Sequence, residues 1–323
     1  MDRHYPVKIA MVAYNQEKYI AQAIESVLMQ KTVFDYRLII GDDCSNDSTA
    51  TICAQYVEKY PDKVELISNP KNIGLLANYK QLFDNFPAKY IAILEGDDYW
   101  TDENKLQFQF DLLENNPHIG LVHTDCDLLF ESGKLQSGSH QRHIGSIKNG
   151  IVFEQLLYEN YIRPATVMFR QELFGKYVPV NEYIRLSFTT LDYPMWLDIS
   201  YYTQFYYIPT STAAYRIHRS SISNSNRHEK IAGFFQSIYD IKSYALEKFA
   251  CSVALRKSLI NRCIFDQITI EMEFQKYNNV YRMAQNLAIL NFKSLMIRLL
   301  ATNRFLIDLY AYYLRYRGSV QKS

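Results

Sequence analysis

Four short runs, VKIAMVA (7–13), YRLIIG (36–41), VELIS (64–68) and YIAIL (90–94), are almost wholly apolar, and each gives way to a polar motif. A strand without a polar face is one buried on both sides, as in a parallel sheet covered by helices. Between the runs the period changes. Tyr19, Ile20, Ala23, Ile24, Val27 and Leu28 recur at helical spacing, and further helices are expected around residues 49–60 and up to 86. Strands alternating with helices of this length predict an α/β fold, with a mostly parallel central sheet flanked by helices. Such sheets bind ligands at the carboxyl ends of their strands, which is where the polar motifs fall.

The fourth run ends in LEGDDYW (94–100), which puts Glu95, Asp97 and Asp98 within four residues. Like charges this close raise each other's pKa unless a cation lies among them. In an extended segment Glu95 and Asp97 project to one side, while Gly96 admits another group close to the backbone. Two oxygens on one side suit Mg²⁺ or Mn²⁺, which bind through one or two carboxylates plus substrate phosphates. A solvated acidic turn is the competing reading.

The second run ends in GDDCSNDST (41–49). Asp42 and Asp43 leave the strand on opposite sides, and Ser45, Asn46, Asp47 and Ser48 are natural caps for the following helix. Either these residues are turn chemistry alone, or one aspartate faces a ligand and accepts an N–H from a base or sugar. An EF-hand calcium loop is excluded, because its glycine and terminal glutamate are missing.

Composition narrows the class. The 323 residues carry 35 Lys and Arg against 34 Asp and Glu, so nothing suggests a nucleic-acid binder that works by neutralising phosphates. The 5 cysteines form no CxxC pair, which fits a reducing compartment and buried thiols. No signal peptide and no apolar stretch of about 20 residues is seen, so a cytoplasmic protein is expected.

Further along, Thr101 is expected to cap a helix running through Glu114, GLVHTDCDLLF (120–130) reads as a strand, and residues 131–150 read as a polar loop. Beyond about residue 226 the pattern turns to long helical stretches. This places a boundary there, with residues 1–226 as the ligand-binding domain and 227–323 as a helical appendage. The final stretch interleaves Lys293, Arg298, Arg304, Arg315 and Arg317 with Leu, Ile, Phe and Tyr. That pattern suits either a peripheral helix on an anionic membrane or ordinary helix packing with the charges in water.

AYN after the first strand, DDCSND after the second, NIGLLAN after the third and LEGDDYW after the fourth together resemble family 2 glycosyltransferases of the GT-A fold. The likeness continues through TLDYPMWL (190–197) and YRIHRSSIS (215–223), so it covers about the first 225 residues. The EGDDYW spelling is similar to the bacterial polysaccharide-biosynthesis type.

The resemblance implies an inverting transfer from a nucleotide-sugar donor, most simply a UDP-sugar, to a hydroxyl of a glycan or of a saccharide on a polyprenyl diphosphate. It implies donor contacts at Ala13, Tyr14, Asn15, Asp43, Asn72, Glu95, Asp97 and Arg216, and a metal held by Asp97, Asp98 and His218. Asp192 matches the general base, although an aspartate two positions before Pro194 also suits a helix start. Trp100, Arg163, Thr166 and Trp196 are the acceptor-side candidates, with core packing as the plainer role for the aromatics. Two other classes compete: a sugar-phosphate nucleotidyltransferase, against which AYNQEKY lacks a Gly-rich basic loop, and a carbohydrate-binding protein without turnover.

Overall fold

The structure, a computed structural model, describes residues 5–138, 147–217, 228–274, 276–287 and 306. The chain divides into two compact units, Met1–His218 and Arg219–Ser323. The boundary expected after residue 226 falls in the stretch 218–227, outside the described residues.

The first unit opens with β1 (Val7–Ala13), α1 (Ile20–Leu28), β2 (Tyr36–Asp42), α2 (Thr49–Lys59), β3 (Val64–Ser68), α3 (Leu75–Asp84) and β4 (Tyr90–Ile93). It continues with β5 (Tyr99–Trp100), α4 (Lys105–Asn115), β6 (Ile119–Phe130), β7 (Leu135–Gln136) and α5 (Phe153–Tyr158). A 3₁₀ turn (Pro164–Thr166), β8 (Val167–Arg170), α6 (Gln171–Tyr177), α7 (Val180–Arg185), α8 (Asp192–Ser200) and β9 (Gln204–Ile217) complete it. The strands form one sheet in the order β3-β2-β1-β4-β8-β6-β9-β5, with β7 paired to β6.

Strands β1 to β4 are parallel, as their apolar runs predict. The chain moves outward from β1 to β3 and then returns to place β4 on the other side of β1. This reversal opens a crevice at the carboxyl ends of β1 and β4. Beyond β4 the sheet becomes mixed, because β8 runs antiparallel to both β4 and β6, and β5 runs antiparallel to β9. An antiparallel β8 has a functional consequence. Its leading end lies at the carboxyl end of β4, so the turn before it arrives at the crevice.

The core is continuous across the parallel strands and their helices, with Ile9, Met11, Ile24, Val27, Leu38, Ile40, Leu94 and Leu106 all fully buried. Each such side chain contributes about 1.5–3 kcal/mol relative to exposure. Lys8 is the exception in β1. Its buried ammonium donates to the carbonyls of Phe83 (2.7 Å), Asn85 (2.8 Å) and Phe86 (2.9 Å), satisfying the end of α3. Burial pulls its pKa down to about 7 against the opposing pull of Asp84, while three acceptors favour the charged form.

The helix expected from Thr101 begins later, at Lys105, after an N-cap at Asn104. Thr101 is not a cap because its N–H bonds Thr212 O at 2.9 Å, which keeps the backbone in sheet pairing for one more residue. Cys53, Cys126 and Cys263 are buried, and all five cysteines are free thiols.

In the second unit α9 (His228–Lys248), α10 (Val253–Glu273) and α11 (Tyr277–Asn286) follow one another, with Ile268, Met272, Val280, Ala284 and Leu287 clustered between the last two. Ser252 caps α10 by accepting the Leu255 N–H at 3.2 Å. Among the described residues no helix is long and apolar enough to cross a membrane. The basic C-terminal stretch lies outside the described residues, Leu306 apart.

Gly41 in β2 tests how closely α3 is seated on the sheet. A Cβ there would lie 2.3 Å from Asn78 Oδ1, and the same buried amide donates to Gly41 O at 2.7 Å. Gly41→Ala is expected to destabilise the protein by about 1–3 kcal/mol through overpacking, read as a lower urea midpoint at unchanged slope.

Candidate active site

Two loops build one wall of the crevice by bonding to each other. Asn15, in the left-handed region at φ 53, follows β1, and its N–H bonds Ser45 Oγ at 2.9 Å while its Oδ1 accepts the Asn46 N–H at 2.8 Å. The Gln16 N–H bonds Thr49 Oγ1 at 2.7 Å, Glu17 N–H bonds Asp47 Oδ2 at 3.1 Å, and Glu17 Oε2 accepts the Ser48 N–H at 3.0 Å. Desolvation works to raise the Asp47 pKa, but the hydrogen bonds from Thr49 and Glu17 outweigh it and hold the carboxyl below its usual range. Much of SNDS is therefore turn chemistry that fixes the first loop. Ala13 is buried at the end of β1, whereas Tyr14 is 45% exposed over the crevice.

Asp43 is likewise occupied. Its carboxylate accepts the N–H groups of Ile73 (2.8 Å) and Gly74 (2.9 Å), and its carbonyl accepts Asn72 Nδ2 at 3.2 Å. It thereby holds the loop before α3, where Gly74 takes φ +86. Asn69 Nδ2 also donates to Asp43 Oδ1 at 3.4 Å, so three bonds fall on two carboxylate oxygens that offer about four lone-pair sites.

The acidic motif forms the other wall. Leu94 N–H bonds Ala10 O and Gly96 N–H bonds Val12 O, both at 3.1 Å, which carries the motif along the end of β1. A Cβ on Gly96 would meet Gln16 Oε1 at 2.3 Å and Ile20 Cδ1 at 2.7 Å, so glycine is what lets the two loops touch. Tyr79 donates to Glu95 Oε1 at 3.2 Å. Burial first, then the charges of Asp97 and Asp192, push Glu95 up to about 8. Asp98 is buried, and burial with the charges of Asp97 and Glu95 raises it well above the usual range. Its Oδ1 accepts the Arg216 N–H at 2.7 Å, while Oδ2 has no hydrogen-bond partner among the described residues.

Asp192 joins this cluster from α8, where it is the first helical residue, after an N-cap at Leu191. Its oxygens take bonds from Thr190 Oγ1 and from Asn160 Nδ2, the latter at 3.2 Å. Burial raises its pKa, and the Asn160 bond, the Tyr193 N–H and the Arg163 charge partly offset that. Arg163 lies on the turn before β8, with its guanidinium 4.7 Å from the Tyr215 ring centre, and its charge also acts on Glu95. Thr190, Asn160 and Tyr79 were not singled out from the sequence. Only their position beside a motif residue in space marks them.

Arg216 is placed at the site in a way the sequence did not indicate. Its guanidinium bonds the Asp97 carbonyl and Gln22 Oε1, and it lies between the rings of Tyr19 and Tyr99, 4.8 Å from each centre. Three acceptor-side candidates are buried. Trp100 is 1% exposed and its Nε1–H bonds Ala165 O at 2.8 Å, Trp196 is fully buried against Phe169, and Thr166 is buried with its hydroxyl on Arg163 O at 2.7 Å. All three are enclosed by the fold, Trp100 on β5, Thr166 on the 3₁₀ turn and Trp196 on α8. His218 lies outside the described residues.

Among the described residues no three His, Cys, Asp or Glu side chains gather as a metal site. A magnesium-type ion needs less than that, one or two carboxylates completed by substrate oxygens and water. Asp98 Oδ2, without a hydrogen-bond partner among the described residues, and three carboxyl groups with raised pKa values offer oxygen donors of the kind a hard divalent cation takes.

Residues 8–174 match the model of glycosyl transferase family 2, more than half of the chain, and the chain belongs to that family. An uncharacterized protein of Mycobacterium tuberculosis is 29% identical over 219 residues, covering 68% of this chain and 61% of the relative. The chain thus spans about three fifths of the length of that relative. The putative teichuronic acid biosynthesis glycosyltransferase TuaG of Bacillus subtilis is 27% identical over 223 residues, 68% of this chain and 82% of TuaG.

Among solved structures, S. aureus TarS in complex with UDP-GlcNAc superposes with a TM-score of 0.59 at 14% identity, over 98% of this chain and 92% of that one. The mannosyltransferase PcManGT from Pyrobaculum calidifontis, in complex with GDP-Man and Mn²⁺, gives 0.55 at 11% identity, over 97% and 88%. Those likenesses show the GT-A fold.

The raised carboxyls make a stability prediction. Folded Glu95 keeps its proton to about pH 8, whereas the ordinary value is 4.5. The native state therefore binds more protons in that window, and stability falls as pH rises through it. Urea midpoints should drop between pH 5 and pH 8, and Glu95→Gln should flatten that dependence.

Proposed function

We propose that this chain is an inverting glycosyltransferase that moves a hexose or N-acetylhexosamine from a nucleotide donor, in the first instance a UDP-sugar, to a glycan hydroxyl. The observation that carries the reading is that Glu95, Asp97 and Asp98 follow β4 within four residues and that the charge of Asp192, from α8, acts on Glu95 as well. A cluster that costs folding energy is expected where charge is to be bound or a proton moved.

Asp192 is the proposed base. A carboxyl with a raised pKa is better matched to taking a hydroxyl proton near neutral pH than an ordinary aspartate. Thr190 and Asn160 orient it, and Arg163 opposes its neutralisation. The acceptor oxygen loses its proton to Asp192 as it bonds the anomeric carbon, and the donor diphosphate departs from the opposite face. One displacement inverts the configuration. Asp97, with Asp98 beside it, would hold Mg²⁺ or Mn²⁺. The ion, when bound, supplies Lewis-acid stabilisation of the diphosphate. Asp43, Asn15 and Asn72 fix the loops that receive the nucleotide.

The name of TuaG, a putative teichuronic acid biosynthesis glycosyltransferase, and TarS's complex with UDP-GlcNAc support a donor of the nucleotide-sugar class and a role in polysaccharide biosynthesis, which we place at the cell surface, in capsule or lipopolysaccharide assembly. On this reading the acceptor is a growing glycan, carried in the cytoplasm on a polyprenyl diphosphate. The basic, aromatic stretch 291–323 would then rest on the inner membrane surface as a peripheral contact.

Screening nucleotide sugars with Mn²⁺ present should identify a donor that is hydrolysed or transferred, and chelation should abolish the activity. Asp97→Asn and Asp192→Asn should each lower turnover by about 10²–10⁴-fold with circular dichroism unchanged. Unaltered turnover in either variant removes that residue from the mechanism.

A further inference from the structure

Behind the acidic motif lies a buried polar group that the proposed chemistry does not use. Lys105, at the start of α4, is fully buried, and burial pulls its pKa down to about 7 against the opposing effect of Asp102. Its ammonium is 4.6 Å from the Trp100 ring centre and donates to Gln109 Oε1 at 2.6 Å. Gln109, also fully buried, donates through Nε2 to Thr166 O at 2.8 Å. An ammonium only donates and a carbonyl only accepts, so these two neighbours fix the amide in a single orientation.

Trp100 adds a second tie, its Nε1–H to Ala165 O at 2.8 Å, while its own backbone N–H bonds Ser26 Oγ at 3.0 Å. Both ties end on the turn Pro164–Thr166. That turn closes on Arg163, whose carbonyl accepts Thr166 N–H (3.0 Å) and Oγ1 (2.7 Å).

We infer that Trp100, Lys105 and Gln109 are positioning residues that clamp the turn bearing Arg163 to the strand leaving the acidic motif, and so fix Arg163 opposite Asp192. The inference rests on the proposed transferase reading. Only one feature argues for more than stability: a buried lysine with no carboxylate in hydrogen-bond contact is a costly way to fill a core, and an apolar residue of the same length would fill it more stably. A lysine that orients Gln109 accounts for it. Arg163 is the cation acting on both Asp192 and Glu95, so a small displacement of its turn alters the reacting geometry.

The test is a double-mutant cycle in the full chain between Trp100→Phe, which deletes the indole N–H, and Arg163→Ala. Lys105→Met serves as a second probe. Trp100→Phe and Lys105→Met should each lower kcat by about tenfold or more with the donor KM unchanged. Neither should lower it further in the Arg163→Ala background. A structural role alone would leave kcat unchanged or multiply the two losses, and either result overturns the inference. Hydrogen exchange gives a readout that needs no activity. Amides of Arg163 and of residues 165–167 should exchange faster in Trp100→Phe than in the parent, and equal protection overturns the clamp. A parent chain that transfers no sugar would sink the transferase reading, while the exchange experiment would still decide the clamp.

Discussion

The rest of the site depends on keeping several carboxylates close together in a place with little water. The parallel sheet makes this possible. Its crevice lies between the ends of β1 and β4, where the chain has reversed direction, so Glu95, Asp97 and Asp98 emerge next to the loop after β1. Burial and mutual repulsion then raise Glu95 and Asp98 together. Each neighbouring element answers that repulsion in part. The Arg216 backbone N–H reaches Asp98, the Tyr79 hydroxyl reaches Glu95, and Asn160 and Thr190 reach Asp192. Asp98 Oδ2 keeps no hydrogen-bond partner among the described residues, and it belongs to the donor set proposed for the cation.

The polar motifs divide between scaffold and chemistry in a way their spelling conceals. Ser45, Asn46, Asp47 and Ser48 spend their hydrogen bonds on the loop carrying Asn15 and Glu17, so the two loops behave as one crosslinked wall. Asp43 does the same for the loop before α3. A nucleotide meeting this wall would find backbone already fixed, which limits the ordering entropy lost on binding. Arg216 shows the same economy, since one side chain bonds the Asp97 carbonyl, stacks between two tyrosines and joins β9 to the acidic motif.

Strands β1, β2 and β4 were legible in the sequence because burial leaves a largely apolar run that needs no tertiary context to recognise, whereas edge strand β3, with only Val64 buried, was marked by its place in the alternation of strands and helices. The acidic rim was legible for a related reason, since three carboxylates after an apolar strand have few structural explanations. Contacts between residues far apart in the chain were not legible. Trp100 follows the motif directly, yet it bonds Ala165, and that pairing exists only because β8 runs antiparallel beside β4. Thr166 and Trp196 look equally accessible in one dimension and are enclosed in three. The start of α4 was misplaced because Thr101 is still paired with Thr212 on β9, a strand more than a hundred residues later. Asn160 carries no local signal, and Thr190 shows only as the first residue of the motif that contains Asp192. Their importance is their distance from Asp192.

The antiparallel insertion of β8 therefore does more than widen the sheet. A parallel strand in that place would deliver its leading turn to the opposite edge, away from Glu95 and Asp192. Reversing it brings the turn before Val167, and with it Arg163, to the edge where Glu95 and Asp192 lie. A cation fixed there by backbone geometry moderates the repulsion without removing it. It is one residue against several acids, and its guanidinium is already engaged with the face of Tyr215. This partial compensation lets the rim keep several acids together, as the proposed binding of a charged ligand requires. Full neutralisation by protein side chains would stabilise the fold further and leave the rim little affinity for the cation and diphosphate proposed to meet there.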